Sequence, residues 1–272
     1  SSTSRGLGDV YKRQFVINAL MSINPSLFGL SSQSEAIRIS FLMVSVWWLM
    51  FLIPLGINFK EKKLGFNKSH LLSNSIRNIF DTLRSIYQYK NAFLFLIAFF
   101  LFIDGAHTVI YLASAFALNL GLETSAIIQA LILVQFIAFP ATLFWGYIAN
   151  RYGDKPVLYI SIFSYIFIIL YSTTLSSAFE FYLLAAFVGC FQGGIQGSSR
   201  GLFGKLIPAE KAGEFFGLFN VFGKAGAILG PLMVGTLLSL YGNIRIALLP
   251  IAILFILGGL LLIKVRIDDE TI

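Results

Sequence analysis

Seven stretches of this chain are each apolar over roughly 20 residues, the length a helix needs to cross about 30 Å of hydrocarbon. They run from Ile39 to Ile57, Ala92 to Leu118, Ala126 to Ala149, Pro156 to Leu175, Glu180 to Ser199, Gly213 to Leu240 and Ile244 to Ile263. Phe15 to Ser22 reads as the stump of another. Hydrophobic residues make up 57% of the chain and charged residues 12%, about half the charged share of ordinary soluble domains. The expected fold class is therefore all-α, a polytopic transmembrane helix bundle, and its first partner is the lipid bilayer.

Charge sets the expected orientation. A net charge of +7 would suit nucleic acid, but the positive residues are distributed by loop. Lys60, Lys62, Lys63, Lys68, Arg77, Arg84 and Lys90 lie between the first two spans. Arg151 and Lys155 follow the third span, Arg200, Lys205 and Lys211 the fifth, and Lys264 and Arg266 the seventh. The opposite loops hold little beyond Arg38 and Arg245. By the positive-inside rule, the basic loops and the C-terminus are cytoplasmic, and no nucleic-acid partner is expected. The single cysteine, Cys190, excludes an intrachain disulfide and a cysteine-based metal cluster. No metal or cofactor is expected.

The opening stretch, SRGLGDVYKRQ at residues 4–14, superficially suits a signal peptide, with positive charge before an apolar run. One ordinary choice of codons, however, makes it resemble the transposase adapter used in sequencing libraries. Residues 1–14 are therefore expected to be an artefactual leader. Residues 15–58 would be the remnant of an N-terminal half, and residues 59–90 a cytoplasmic linker. In that linker Leu72, Ile76, Ile79, Phe80, Leu83 and Ile86 recur at helical spacing. They predict an amphipathic helix on the inner leaflet; a calmodulin-like target is the alternative. Residues 91–272 would form a six-helix half, the layout of a transporter built from two such halves.

Gly146, Asn150, Arg151, Gly153, Asp154 and Lys155 stand between the third and fourth spans. The run resembles the loop signature of the major facilitator superfamily, with Asn150 where that superfamily usually has Asp. From the residues alone, a generic basic turn is the competing reading. More specific is Gly193 to Pro231, GGIQGSSRGLFGKLIPAEKAGEFFGLFNVFGKAGAILGP. It resembles the subfamily that includes the fungal autophagy-related vacuolar amino-acid effluxers and their bacterial relatives of unknown substrate. IDGAHTVI at residues 103–110, containing Asp104, His107 and Thr108, is similar to that subfamily's seventh helix, and Trp47-Trp48 to its sixth. The resemblance implies that the chain covers helices 6–12 of a twelve-helix fold and is missing an N-terminal half. It also implies a cytoplasmic gate of charged loop residues, amino acids as the first solute class to test, and a bacterial inner membrane as host.

The same residues read on their own agree. Gly189, Gly193, Gly197 and Gly201 are each four apart, a stripe that lets a neighbouring helix approach closely. Gln192, Gln196 and Arg200 form a polar seam beside it, which faces either a water-filled cavity or a neighbouring helix. Glu210 and Glu214 follow Pro208, and Arg200 with Glu214 suits either a gate or ordinary helix-end charge. Asp104 and Lys224 fall near the middle of their spans, where a charge costs at least ~3 kcal/mol unless paired or lining a pathway. They are expected to meet each other, with Asn220 one turn before Lys224 on the same face. His107 suits proton traffic or a plain hydrogen bond.

These features point to a secondary transporter moving a small polar solute by alternating access, coupled to protons. The alternatives are a membrane receptor or scaffold, and an intramembrane lipid-modifying enzyme. Against the enzyme, neither His70 nor His107 belongs to a His-Glu-x-x-His motif and no Gly-x-Ser-x-Gly elbow occurs.

Overall fold

Each of the seven expected spans has a helical counterpart long and apolar enough to cross a membrane. The computed structural model describes residues 14, 17–18, 20–58 and 82–266, as helices joined by turns with no strand among them. The chain divides into two units, residues 1–71 and 72–272. Of the expected leader only Gln14 is described.

In the first unit α1 spans Gln33–Asn58. Its start is tied by the backbone N–H of Glu35 donating to Ser32 Oγ at 3.2 Å, while Glu35 Oε2 accepts from Ser31 N at 2.9 Å. These bonds satisfy donors that a helix terminus otherwise leaves orphaned.

The second unit contains α2 (Lys90–Asn119), α3 (Thr124–Tyr152), α4 (Asp154–Ser172), α5 (Ala178–Leu206), α6 (Ala212–Ala225), α7 (Leu229–Tyr241), α8 (Ile244–Leu248) and α9 (Ile251–Lys264). Local chemistry fixes the boundaries. Ser177 and Glu180 form a capping box at the start of α5, placing the helix N-terminus ahead of the apolar run. Gly153, at φ 91°, reverses the chain between α3 and α4 in a conformation that only glycine adopts cheaply.

Two expected spans prove to be broken helices. The sixth divides into α6 and α7 around Gly226–Ile228, and the seventh into α8 and α9 around Leu249 and Pro250. Pro250 has no N–H to continue a helix. In the sixth span, Gly226 gives up helix propensity, and Pro231, which suits a first turn because its missing N–H is one that needs no intrahelical partner, stands just inside a new N-terminus.

Close approach positions the helices. α3 lies along α5, and a Cβ on Gly193 would overlap the Thr142 side chain, while one on Gly189 would stand 2.8 Å from the Val134 carbonyl. α2 and α9 cross through a reciprocal arrangement, Phe255 filling the space at Gly105 and Phe102 packing against Gly258. Tyr165 stacks on Phe255 at 5.2 Å between ring centroids. Around this crossing Phe95, Phe99, Phe203 and Phe219 form an aromatic core, with Phe99 and Phe219 stacked at 4.1 Å.

The linker differs from its expected placement where it is described. Residues 82–87 are helical, but Ile86 is fully buried and Leu83 packs on the protein core. Lys211 Nζ donates to Ser85 Oγ at 3.0 Å. The apolar side of this stretch therefore faces the helical unit rather than lipid. Leu72, Ile76, Ile79 and Phe80 lie outside the described residues.

Candidate solute site

One turn of α2 holds both ends of the broken sixth span. Asp104 is fully buried, and its Oδ2 accepts from Gly230 N at 2.8 Å, with the backbone N–H groups of Ile228 and Leu229 turned toward the same carboxylate. Ile228 supplies no side-chain cap to α7. The carboxylate of a neighbouring helix does so instead, where the positive end of the helix dipole favours an anion. Three residues on, His107 Nδ1 lies 3.2 Å from the carbonyl of Gly226, which closes α6. A carbonyl only accepts, so Nδ1 carries the hydrogen and Nε2 is the ring atom left for a ligand or proton. Thr108 is buried, its hydroxyl donating to the Asp104 carbonyl at 2.7 Å.

The glycines at the break permit this approach. A Cβ on Gly226 would stand 2.7 Å from Ile103 Cγ2, and one on Gly230 would overlap Thr108.

Asp104 does not meet Lys224. The one ion pair among the described residues is Lys205 with Asp154. The reason lies in the break, since a half-helix N-terminus presents several oriented N–H donors to one carboxylate. Lys224 is exposed on the other side of the break, in α6.

There Lys224 joins a cavity of about 220 Å³ between α2, α5 and α6. Its polar lining is His107 from α2, Gln196 and Arg200 from α5, and Asn220 and Lys224 from α6. The stacked Phe99 and Phe219 form an apolar wall. Arg200 donates from a terminal guanidinium nitrogen to Asn220 Oδ1 at 3.3 Å.

Four of the expected pathway residues, His107, Gln196, Asn220 and Lys224, thus come together, joined by Arg200, expected both in the polar seam with Gln196 and in the gate. Asp104 and Thr108 stand behind the cavity at the helix break. Gln192 lines a different, mostly apolar cavity of about 110 Å³ between α2, α3, α4 and α5, with Gln135 and Ser114. Phe99, Ile103 and Phe219 were missed; Phe99 and Ile103 lie eight and four residues before His107, on its helix face.

The expected gate residues do not form one cluster. Asp154, nearly buried at the first position of α4, accepts from Lys205 Nζ at 2.8 Å. A Cβ on Gly201 would stand 2.6 Å from Asp154 Oδ1, so part of the glycine stripe serves to seat this carboxylate. Lys155 Nζ donates to the Val265 carbonyl at 2.6 Å, closing the end of α9. Arg151 is exposed, 3.4 Å from the Tyr147 hydroxyl and over the Tyr152 ring. Gly146, Asn150 and Glu214 are exposed, and Glu214 makes no hydrogen bond or ion pair among the described residues. The charges of this end therefore tie α4, α5 and α9 together within the unit.

Comparison with known proteins fits this architecture. The family described as "Vacuole effluxer Atg22 like" matches residues 4–271. An uncharacterized MFS-type transporter, YxiO of Bacillus subtilis (strain 168), is 34% identical over 240 residues, covering 88% of this chain and 56% of that protein. Autophagy-related protein 22 of Kluyveromyces lactis is 27% identical, covering 80% of this chain and 49% of that protein. Its counterpart in Coccidioides immitis is 26% identical, with 98% and 48% covered. The chain thus spans about half the length of the curated relatives it matches. On the match across nearly its whole length, this integral membrane chain belongs to the Atg22-like vacuole effluxer family.

Proposed function

We propose that the chain is the C-terminal part of a secondary transporter in the major facilitator superfamily, moving a small polar solute by alternating access. The observation that carries this reading is the cavity between α2, α5 and α6, where five polar side chains converge beside aromatic rings within otherwise apolar spans. Polar and charged groups at such depth normally line a pathway, and sites of this kind lie at the interface of two transporter halves, near broken helices. The opposing half belongs to the rest of the natural protein.

Amino acids are the first solutes to assay, on the family resemblance. Proton coupling runs through Asp104 and His107. A proton on the Asp104 carboxylate weakens it as an acceptor for the α7 N-terminus, so the charge state of one side chain bears on the break that joins the α6 cavity wall to α7. The alternating basic loops support a cytoplasmic C-terminus, and the likeness to the Bacillus subtilis transporter supports a bacterial inner membrane.

Flux of radiolabelled amino acids into proteoliposomes holding the natural-length protein tests the reading. Exchange should be abolished in Arg200→Ala/Asn220→Ala/Lys224→Ala; unchanged flux in that variant would remove the cavity from the transport path. Asp104→Asn should spare exchange but abolish proton-driven accumulation.

A further inference from the structure

We infer that the cavity selects its occupant by an anionic group, which Arg200 and Lys224 bind together, and that the described residues supply no acidic counterpart for a cation. This rests on the reading of the cavity as a solute site and names the chemistry that site recognises. Arg200 and Lys224 approach it from different helices, α5 and α6. Neither has an acidic partner among the described residues, since their only ion pair joins Lys205 and Asp154. Among the described residues no carboxylate lines the cavity. The nearest acid on α2, Asp104, is sealed behind it against Gly230 N. Arg200 is already oriented by Asn220, leaving guanidinium donors for a bidentate acceptor, while Phe99 and Phe219 offer an apolar surface to the rest of the molecule.

Two cations so placed are costly within a membrane unless an anion joins them. A carboxylate on a small apolar skeleton fits the lining. A lipid headgroup supplies anionic chemistry too, but Lys224 stands twelve residues into α6, about 18 Å along the helix at 1.5 Å per residue. That depth favours a free solute.

Three probes sharing one carbon skeleton separate the charges: 4-methylpentanoate carries only the anion, isopentylamine only the cation, and leucine both. Their binding to the natural-length protein is measured by calorimetry in phosphatidylcholine nanodiscs. 4-Methylpentanoate and leucine should bind and isopentylamine should not. Arg200→Gln and Lys224→Gln should each weaken 4-methylpentanoate by about tenfold or more, the loss expected for one charge-assisted bond. Lys224→Arg, which keeps the charge, should restore most of the affinity, with monodispersity confirming the fold of each variant. Binding of isopentylamine as tight as that of 4-methylpentanoate, or Gln variants that bind as wild type, would overturn the inference. So would loss of 4-methylpentanoate binding when phosphatidylglycerol replaces the neutral lipid, which would identify a headgroup as the occupant. Flux of solutes without preference for anions would leave the transport reading standing and sink this one, whereas anion binding without any flux would do the reverse.

Discussion

The carboxylate of Asp104 on α2 caps the N-terminus of α7 through a 2.8 Å hydrogen bond from Gly230 N. A cap supplied by another helix fastens a half-helix that begins in mid-span. Asp104→Ala leaves that N–H buried without an acceptor and should cost about 1–3 kcal/mol. Asp104→Asn keeps a carbonyl acceptor and should cost less. Thermal unfolding in detergent micelles reads both, and an alanine variant as stable as wild type would show that the cap holds nothing.

The glycine stripe of α5 makes a sharper distinction than its regular spacing suggests. A Cβ at Gly189 or Gly193 would meet α3, whereas one at Gly197 meets nothing within 4 Å. Gly189→Ala and Gly193→Ala should therefore each cost about 1–3 kcal/mol through overpacking. Gly197→Ala should be neutral or gain up to about 1 kcal/mol in helix propensity. Equal effects at all three positions in the same unfolding assay would dismiss the α3–α5 contact as the cause.

Seven spans were legible because membrane helices announce themselves by length and apolarity alone. The broken helices were not, because Gly213 to Leu240 is apolar throughout and hydropathy carries no record of a turn. Gly226 and the Gly230-Pro231 pair were the available signals. The expected meeting of Asp104 with Lys224 followed from cost, two charges each needing relief; the break gives Asp104 Oδ2 a backbone donor at Gly230 and turns Lys224 to the cavity. The helical spacing of Gln196, Arg200, Asn220 and Lys224 did bring those four to one place. Gln192 shared their period but faces across α5 to another cavity, since one seam can border two neighbours.

The ion pair of Asp154 with Lys205 should be an unequal one. The Lys205 side chain is 52% exposed and that of Asp154 7%, so Lys205→Ala should cost no more than about 1 kcal/mol. Asp154→Ala also strips the anion from the start of α4 and should cost about 1–2 kcal/mol. Glu214→Ala, with no partner to lose, should change neither stability nor cysteine labelling at this end of the natural-length protein. A rise in labelling for Glu214→Ala, as large as for Asp154→Ala, would restore Glu214 to the gate.

Arg245 is the exception in the charge pattern, a basic residue in a loop expected to face away from the cytoplasm, and its contacts give the reason. Its guanidinium donates to the Thr173 carbonyl at 3.2 Å and the Leu175 carbonyl at 2.5 Å, tying α8 to the end of α4. The carbonyls at a helix C-terminus carry partial negative charge, which a fork of fixed donors matches better than a single ammonium. Arg245→Ala should therefore destabilise the protein by about 1–2 kcal/mol, the two carbonyl bonds it loses being part-buried, and Arg245→Lys should recover only part of it. Orientation should not change, because removing this charge deepens the asymmetry between the two sets of loops. Unfolding in micelles measures the first effect, and protease access to a C-terminal tag in sealed vesicles measures the second. A wild-type melting profile for Arg245→Ala, or an inverted tag, would mean that this residue acts on insertion rather than on the packing of α4 and α8.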